Sequence, residues 1–310
     1  MEPVLTQIQI LMAVYNGASH LEAQLESLAA QSYPQWSLLV SDDGSTDQSV
    51  QILRDFAAKH TGRVDLIAGP CRGSAANFLH LLECADTNAA GIAFCDQDDV
   101  WLPDKLARAY ASLASIPLDQ PALYCSRTLV CDAALNVRYP SRKPQRDLSF
   151  RNALVQNVVA GNTLVLNSSA LKLARQASKQ VTQVAVHDWW LYQLLSGAGS
   201  AIIHDEKPSL YYRQHSHNEI GAKIGVRAVF SRAVQVIKGR YQGWNSVNIS
   251  ALDAVEVHLT PENRARLREF KKARHGPLPR RLWHLWRSGV HRQGRLGNIA
   301  LWVSAFLGRI

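Results

Sequence analysis

Four short apolar runs punctuate the first hundred residues: TQIQILMAVYN, SLLVSDDGS, RVDLIAG and AGIAFC. Between them lie stretches with helical spacing, such as ASHLEAQLESLAAQ, where Leu21, Leu25 and Leu28 share a face. This repeat of strand, turn and helix constrains the fold more than any other feature of the chain. It predicts an α/β domain with a Rossmann-like sheet flanked by helices. Such sheets bind ligands at the carboxyl ends of their strands, near a switch in strand order. Polar residues gather at those ends: Asn16, Asp42 and Asp43, the CRGS loop, and the acids from Asp96 on. Ser45 and Gln48 stand in capping-box register before the second helix, and Pro103 suits the first turn of the helix that follows FCDQDDVW.

After residue 120 the rhythm changes. ALYCSRTLVCD, VVAGNTLVLN, SAIIHD and SLYYRQH read as strands, and SSALKLARQA and HDWWLYQLLSG as helices. This half is expected to complete the sheet as a mixed one. The chain thus divides into residues 1–225, in two halves (1–100 and 101–225), and a helical basic region, 226–310. Five scattered cysteines without CxxC spacing suit reduced thiols rather than a disulfide framework or a zinc site. No signal peptide is visible and no apolar run reaches the roughly 18–20 residues that span a bilayer. A cytoplasmic location is therefore expected. The net charge of +9 is uneven: Arg264 to Arg295 is dense in Arg and Lys, with Glu269 its only acid. With Trp283, Trp286 and Trp302, this tail suits an anionic leaflet, on the inner face of the cytoplasmic membrane. It suits equally well packing on the α/β domain or a dimer interface. The first 225 residues lack such a basic stripe, which argues against a nucleic-acid partner.

Four constellations carry chemistry. SDDGSTD sets acceptors at a strand end beside a helix start, where they can take a base N–H or a ribose hydroxyl; an ordinary turn uses the same residues. DQDD places Asp96 and Asp98 two apart, and converging hard oxygens suit Mg²⁺ or Mn²⁺ held partly by substrate phosphates; the alternative is a solvated acidic turn. HDWWLYQLL opens a helix with Asp188 beside Trp189 and Trp190. A carboxylate among aromatics suits a general base, with indole faces as a sugar platform, although tryptophans are more often core. YYRQHSHN offers Arg213 for a phosphate and His215 for a metal.

Together, the segments ILMAVYNGASHLEAQLESLAAQSYPQWSLLVSDDGSTDQS, FCDQDDVWLPDKL, GNTLVLN, HDWWL and YRQHSHNEIGA resemble the inverting family 2 glycosyltransferases of GT-A fold, and within them the bacterial rhamnosyltransferases. The resemblance implies that Ala13, Tyr15 and Asn16 line the nucleotide, that Asp42 or Asp43 contacts base or ribose, and that Asn77 packs near the donor. It implies that Asp96 and Asp98 are the DxD pair, with Asp98 the direct metal ligand, and that His215 reaches the metal or diphosphate. Asp188 stands where the family's base stands. His187 departs from the family's usual Glu before that Asp. The implied donor is dTDP-β-L-rhamnose, and the implied acceptor a glycan or lipid-linked saccharide. A UDP-sugar donor, or a non-catalytic binder of nucleotide sugars, is the alternative. A nucleotidyltransferase would want a basic Gly-rich loop, and AVYNGASH has no Lys or Arg. The sequence does not specify an oligomeric state.

Overall fold

Strand and helix follow one another as the alternation predicts. The computed structural model describes residues 7–214 and 240–310. In it, β1 (Ile8–Val14), β2 (Trp36–Asp42), β3 (Val64–Ala68) and β4 (Gly91–Cys95) are linked by α1 (Ala18–Ala29), α2 (Ser49–Lys59) and α3 (Ser74–Cys84). Then come β5 (Val100–Trp101), α4 (Lys105–Ala114), β6 (Ala122–Cys131), β7 (Val137–Pro140), α5 (Phe150–Ala153), β8 (Val165–Asn167), α6 (Ser168–Ser178), α7 (His187–Gly197) and β9 (Ala201–Arg213). The remaining described helices are α8 (Arg240–Ala254), α9 (Pro261–Ala273), α10 (Leu278–Ser288) and α11 (Arg295–Phe306).

The strands form one mixed sheet in the order β3-β2-β1-β4-β8-β6-β9-β5, with β7 on β6. β1 runs parallel to both β2 and β4, so the strand order switches direction at β1. β8 is antiparallel to β4 and to β6. β1, β2 and β4 read as nearly continuous apolar runs because both of their faces are covered, whereas the edge strand β3 is partly exposed. Ile10, Met12, Leu38 and Val40 pack in one core with Leu25 and Leu28 of α1.

Two local expectations are corrected. Ser45 and Gln48 form no capping box: α2 starts at Ser49 with no side-chain cap on Gln48, and the Ser45 hydroxyl instead accepts from Asn16 N. The runs SAIIHD and SLYYRQH are one strand, β9, not two. Its pairing with β6 slips from Ser126–Asp205 to Arg127–Pro208, and this irregularity accommodates a proline inside a strand.

The chain divides into two compact units. The first comprises residues 1–143, 159–179 and 200–219, and contains every described strand. The second comprises 144–158, 180–199 and 220–310. This differs from a single cut at residue 225. The physical reason is a separate apolar core in which Phe150, Leu154 and Val155 pack with Leu252, Leu259, Leu267 and Phe270. No described helix is long and apolar enough to cross a membrane. All five cysteines are free thiols.

Candidate functional site

In the first unit, the ends of β1, β2 and β4 meet at the switch point. The turn after β1 is stitched down from several sides. Asn16 adopts a left-handed conformation (φ 48°), which asparagine tolerates better than most residues. Its Oδ1 accepts from Thr46 N, and its own N–H donates to Ser45 Oγ. Gly17 N donates to Ser49 Oγ and Ala18 N to Asp47 Oδ2. Desolvation, the largest single influence, raises the Asp47 pKa, but hydrogen bonds from the Ser49 hydroxyl, Ser49 N and Ala18 N hold the carboxyl below its ordinary range. The Gly17 and Ala18 N–H groups at the start of α1 are thus satisfied internally. Ala13 is half-buried, whereas Tyr15 and Asn16 are exposed.

Gln97, the residue between Asp96 and Asp98, was not singled out by its type. Its side chain spans to the β1 end: Oε1 accepts from Tyr15 N at 2.8 Å, and Nε2 donates to Tyr15 O at 3.1 Å. A Cβ at position 17 would overlap this amide, so Gly17 leaves room for the clamp.

The two acids at the end of β2 have separate tasks. Asp42 Oδ2 accepts from Ser45 N at 3.0 Å, while its Oδ1 is buried without a hydrogen-bond partner. Asp43 is 7% exposed. Its two oxygens accept from Cys71 N (2.7 Å) and Gly73 N (2.8 Å), which pins the loop before α3. Asn77 is buried on α3, and its Nδ2 donates to Ser41 O.

The acidic turn after β4 sorts its carboxylates by burial. Asp96 and Asp98 are half-buried; Asp99 is fully buried. Asp99 Oδ2 accepts from Asn162 Nδ2 at 2.6 Å, and Oδ1 from Arg213 N at 3.4 Å. Burial, reinforced by the charges of Asp98 and Asp96, pushes its pKa well above the carboxylate range. Arg213, at the end of β9, donates from Nε to Asp98 O and from Nη1 to Ala133 O, so its guanidinium holds the turn from behind. Lys105 is also fully buried; its ammonium lies 3.3 Å from the Trp101 ring centroid and donates to Asn162 O. Burial lowers its pKa to about 7. Asn162 therefore joins Lys105 to Asp99. GNTLVLN and VWLPDKL contain these residues, but nothing in their types marks a lysine as buried, since lysines rarely are.

The residues fit a hard divalent cation in part. Asp96 and Asp98 supply oxygens two positions apart, but no group of three His, Cys, Asp or Glu side chains suited to a metal occurs among the described residues. An ion here would take its remaining ligands from diphosphate and water. His215 lies outside the described residues.

In the second unit, Asp188 occupies the first turn of α7, 9% exposed, with Oδ1 accepting from Trp189 N at 2.6 Å. Trp189 and Trp190 are 3% and 0% exposed, so their faces are used in packing rather than offered as a platform. Trp189 Nε1 donates to Ala153 O and its ring meets Trp244 edge-on. His187 is buried, and desolvation lowers its pKa to about 3, so the imidazole stays neutral.

A mixed sheet whose order switches at β1, flanked by helices, is a GT-A type of fold. The family profile described as "Glycosyl transferase family 2" matches residues 9–171, and the chain belongs to that family. It is a glycosyltransferase. It is 29% identical over 234 residues to the dTDP-rhamnosyl transferase RfbG of Shigella flexneri, covering 71% of this chain and 77% of that one. A shorter match, 32% over 100 residues, is to the UDP-Glc:alpha-D-GlcNAc-diphosphoundecaprenol beta-1,3-glucosyltransferase WfgD of Escherichia coli (32% of this chain, 38% of that one). The structure of S. aureus TarS residues 1–349, bound to UDP-GlcNAc, superposes with a TM-score of 0.54 at 14% identity, covering 92% of this chain and 93% of that one.

Proposed function

We propose that the chain transfers L-rhamnose from dTDP-β-L-rhamnose to a hydroxyl of a glycan or lipid-linked saccharide, with inversion, in the synthesis of a cell-surface polysaccharide. The similarity to RfbG over 71% of the chain is the observation that carries the donor. The nucleotide lies against Ala13, Tyr15 and Asn16, with base or ribose on Asp42 or Asp43. Asn77 supports that wall. Asp188 takes the proton from the acceptor hydroxyl. The oxygen then forms a bond to the anomeric carbon as the bond to the β-phosphoryl oxygen breaks, and dTDP leaves. Inversion of the β-linked donor gives an α-L-rhamnoside. Mg²⁺ or Mn²⁺ bound at Asp98, with Asp96 beside it, would offset the charge of the departing diphosphate. Positioning and charge stabilisation supply most of the acceleration. An acceptor on a lipid would place the enzyme at the inner face of the cytoplasmic membrane.

A donor screen with and without Mn²⁺ or Mg²⁺, with NMR of the product's anomeric centre, tests this reading. Asp188→Asn is expected to keep donor binding and to lose about 10²–10⁴-fold in transfer. Transfer at the parent rate would remove Asp188 as the base. Asp98→Ala is expected to abolish metal-dependent donor affinity, measured by calorimetry. A second reading, a UDP-sugar donor, rests on the match to WfgD. In the same screen it predicts turnover of UDP-sugars and none of dTDP-rhamnose.

A further inference from the structure

The last two helices carry apolar residues on two faces. On α11, Leu301, Ser304 and Ala305 are buried in the second unit's core. Ile299, Trp302, Val303 and Phe306 follow the same i, i+3, i+4, i+7 spacing on the opposite side, yet all four are exposed. On α10, Trp283 and Trp286 are exposed too, with ring centroids 5.2 Å apart. Of the thirteen exposed large apolar residues described, eight lie between Trp283 and Leu307. A soluble surface scatters such residues singly; this concentration marks a contact face.

The charge of the same region indicates what the contact is. After Glu269 the chain contains nine Lys and Arg and no acid through to its last residue. Within the second unit, a cavity of about 760 Å³ opens beside this face. Trp286, Ile299 and Trp302 belong to both, and Arg146, Arg151 and Arg295 supply the cavity's charge. Its acid is Asp147. None of the three arginines forms an ion pair among the described residues. The walls are fixed: Gln293 Oε1 accepts from both Gln145 N and Arg146 N at 2.9 Å, and Asn298 Oδ1 accepts from Arg292 N at 2.8 Å. His291 is held below the ordinary histidine range, first by burial, so the site's positive charge comes from the arginines. Arginine presents a planar fork suited to phosphate oxygens, and tryptophan favours the boundary between lipid headgroup and chain.

We propose that the exposed face of α10 and α11 docks on an anionic lipid leaflet, with the phosphate of one lipid headgroup seated in the cavity between Arg146, Arg151 and Arg295. This deepens the acceptor side of the function proposed above, on which it rests only for its biological sense. It binds by surface and charge, independently of donor chemistry.

The test is co-sedimentation of the full chain with phosphatidylcholine vesicles, with and without phosphatidylglycerol. The parent is expected to pellet with the anionic vesicles only, and less as salt rises. Ile299→Glu with Phe306→Glu is expected to abolish pelleting. Arg146→Gln and Arg295→Gln are each expected to weaken it about fivefold, a step expected for one cation at a charged leaflet. Circular dichroism and donor turnover with a soluble acceptor should stay at parent levels in all of these variants. Failure of the parent to pellet, or parent-like pelleting of the double variant, would overturn the docking. So would a parent that sediments as a dimer in free solution and is made monomeric by the double variant, because the face would then bind a second copy. Arginine variants that pellet like the parent would remove the headgroup site. A chain that turns over donor but ignores vesicles defeats this inference alone, and one that binds vesicles without turnover defeats the function alone.

Discussion

Asp43 offers a sharp test of how the switch-point end of the sheet is organised. Asp43→Asn changes little in volume. It leaves one carbonyl oxygen and one NH₂ where two oxygens now accept from Cys71 N and Gly73 N. One of those amides must therefore face a donor. At 7% exposure, little water is available to replace the lost partner. A charge-assisted hydrogen bond contributes about 1.5–3 kcal/mol, and the orphaned N–H adds to the loss, so opening of the 70–74 loop should become easier by about 2–3 kcal/mol. The loop has reason to open, because Cys71 is held at φ 55°, a left-handed conformation unfavourable for a residue with a side chain. At tenfold per 1.4 kcal/mol, amide exchange at Cys71 and Gly73 should accelerate roughly 30- to 150-fold. Val40, inside β2, serves as the unchanged control. Exchange at both loop amides within about threefold of the parent would refute the claim that Asp43 holds this loop.

Other outcomes follow from the same geometry. His187 has a folded pKa of about 3, below the ordinary value of about 6.5, so the unfolded chain binds more protons between those limits. Stability should therefore fall as pH drops from about 6.5 toward 3, by on the order of 4 kcal/mol at the acid end, and His187→Gln should flatten that limb in pH-dependent denaturant unfolding. Gln97→Leu removes both hydrogen bonds that hold the Tyr15 backbone. Nucleotide affinity measured by calorimetry should weaken about 5- to 30-fold, without a matching change in thermal stability.

The sheet's parallel half was legible because its strands are mostly apolar and the first three are each followed by a helix with clear periodicity. The places where reading fell short share a cause: contacts distant in sequence. Ser45 fits a capping box locally, but Asn16, 29 residues away, recruits its hydroxyl. Pro208 looks like a strand break until β6 is seen to tolerate it through a shift in register. Asp96 and Asp98 could be chosen by spacing alone. The supports of the turn they sit in, Gln97 to Tyr15 and Lys105 with Asn162 to Asp99, show their value only once β1 and the 160s are brought beside it. Asp188 could be singled out as an acid opening a helix, whereas the depth of Trp189 and Trp190 depends on a second core assembled from three separate segments.

The clamp on the acidic turn has a consequence for biosynthesis. Arg213 reaches back 114 and 115 residues to Asp99 and Asp98. Closing so long a loop is slow compared with local helix and hairpin formation, and domains emerging from the ribosome fold as their partners appear. A nascent chain that stops short of Arg213 can build β1 to β4 yet leaves three carboxylates crowded in a turn without its rear support. The acidic turn is therefore among the last parts of the first unit to mature. Ribosome-bound chains cut before and after Arg213 should differ in protease sensitivity at this turn.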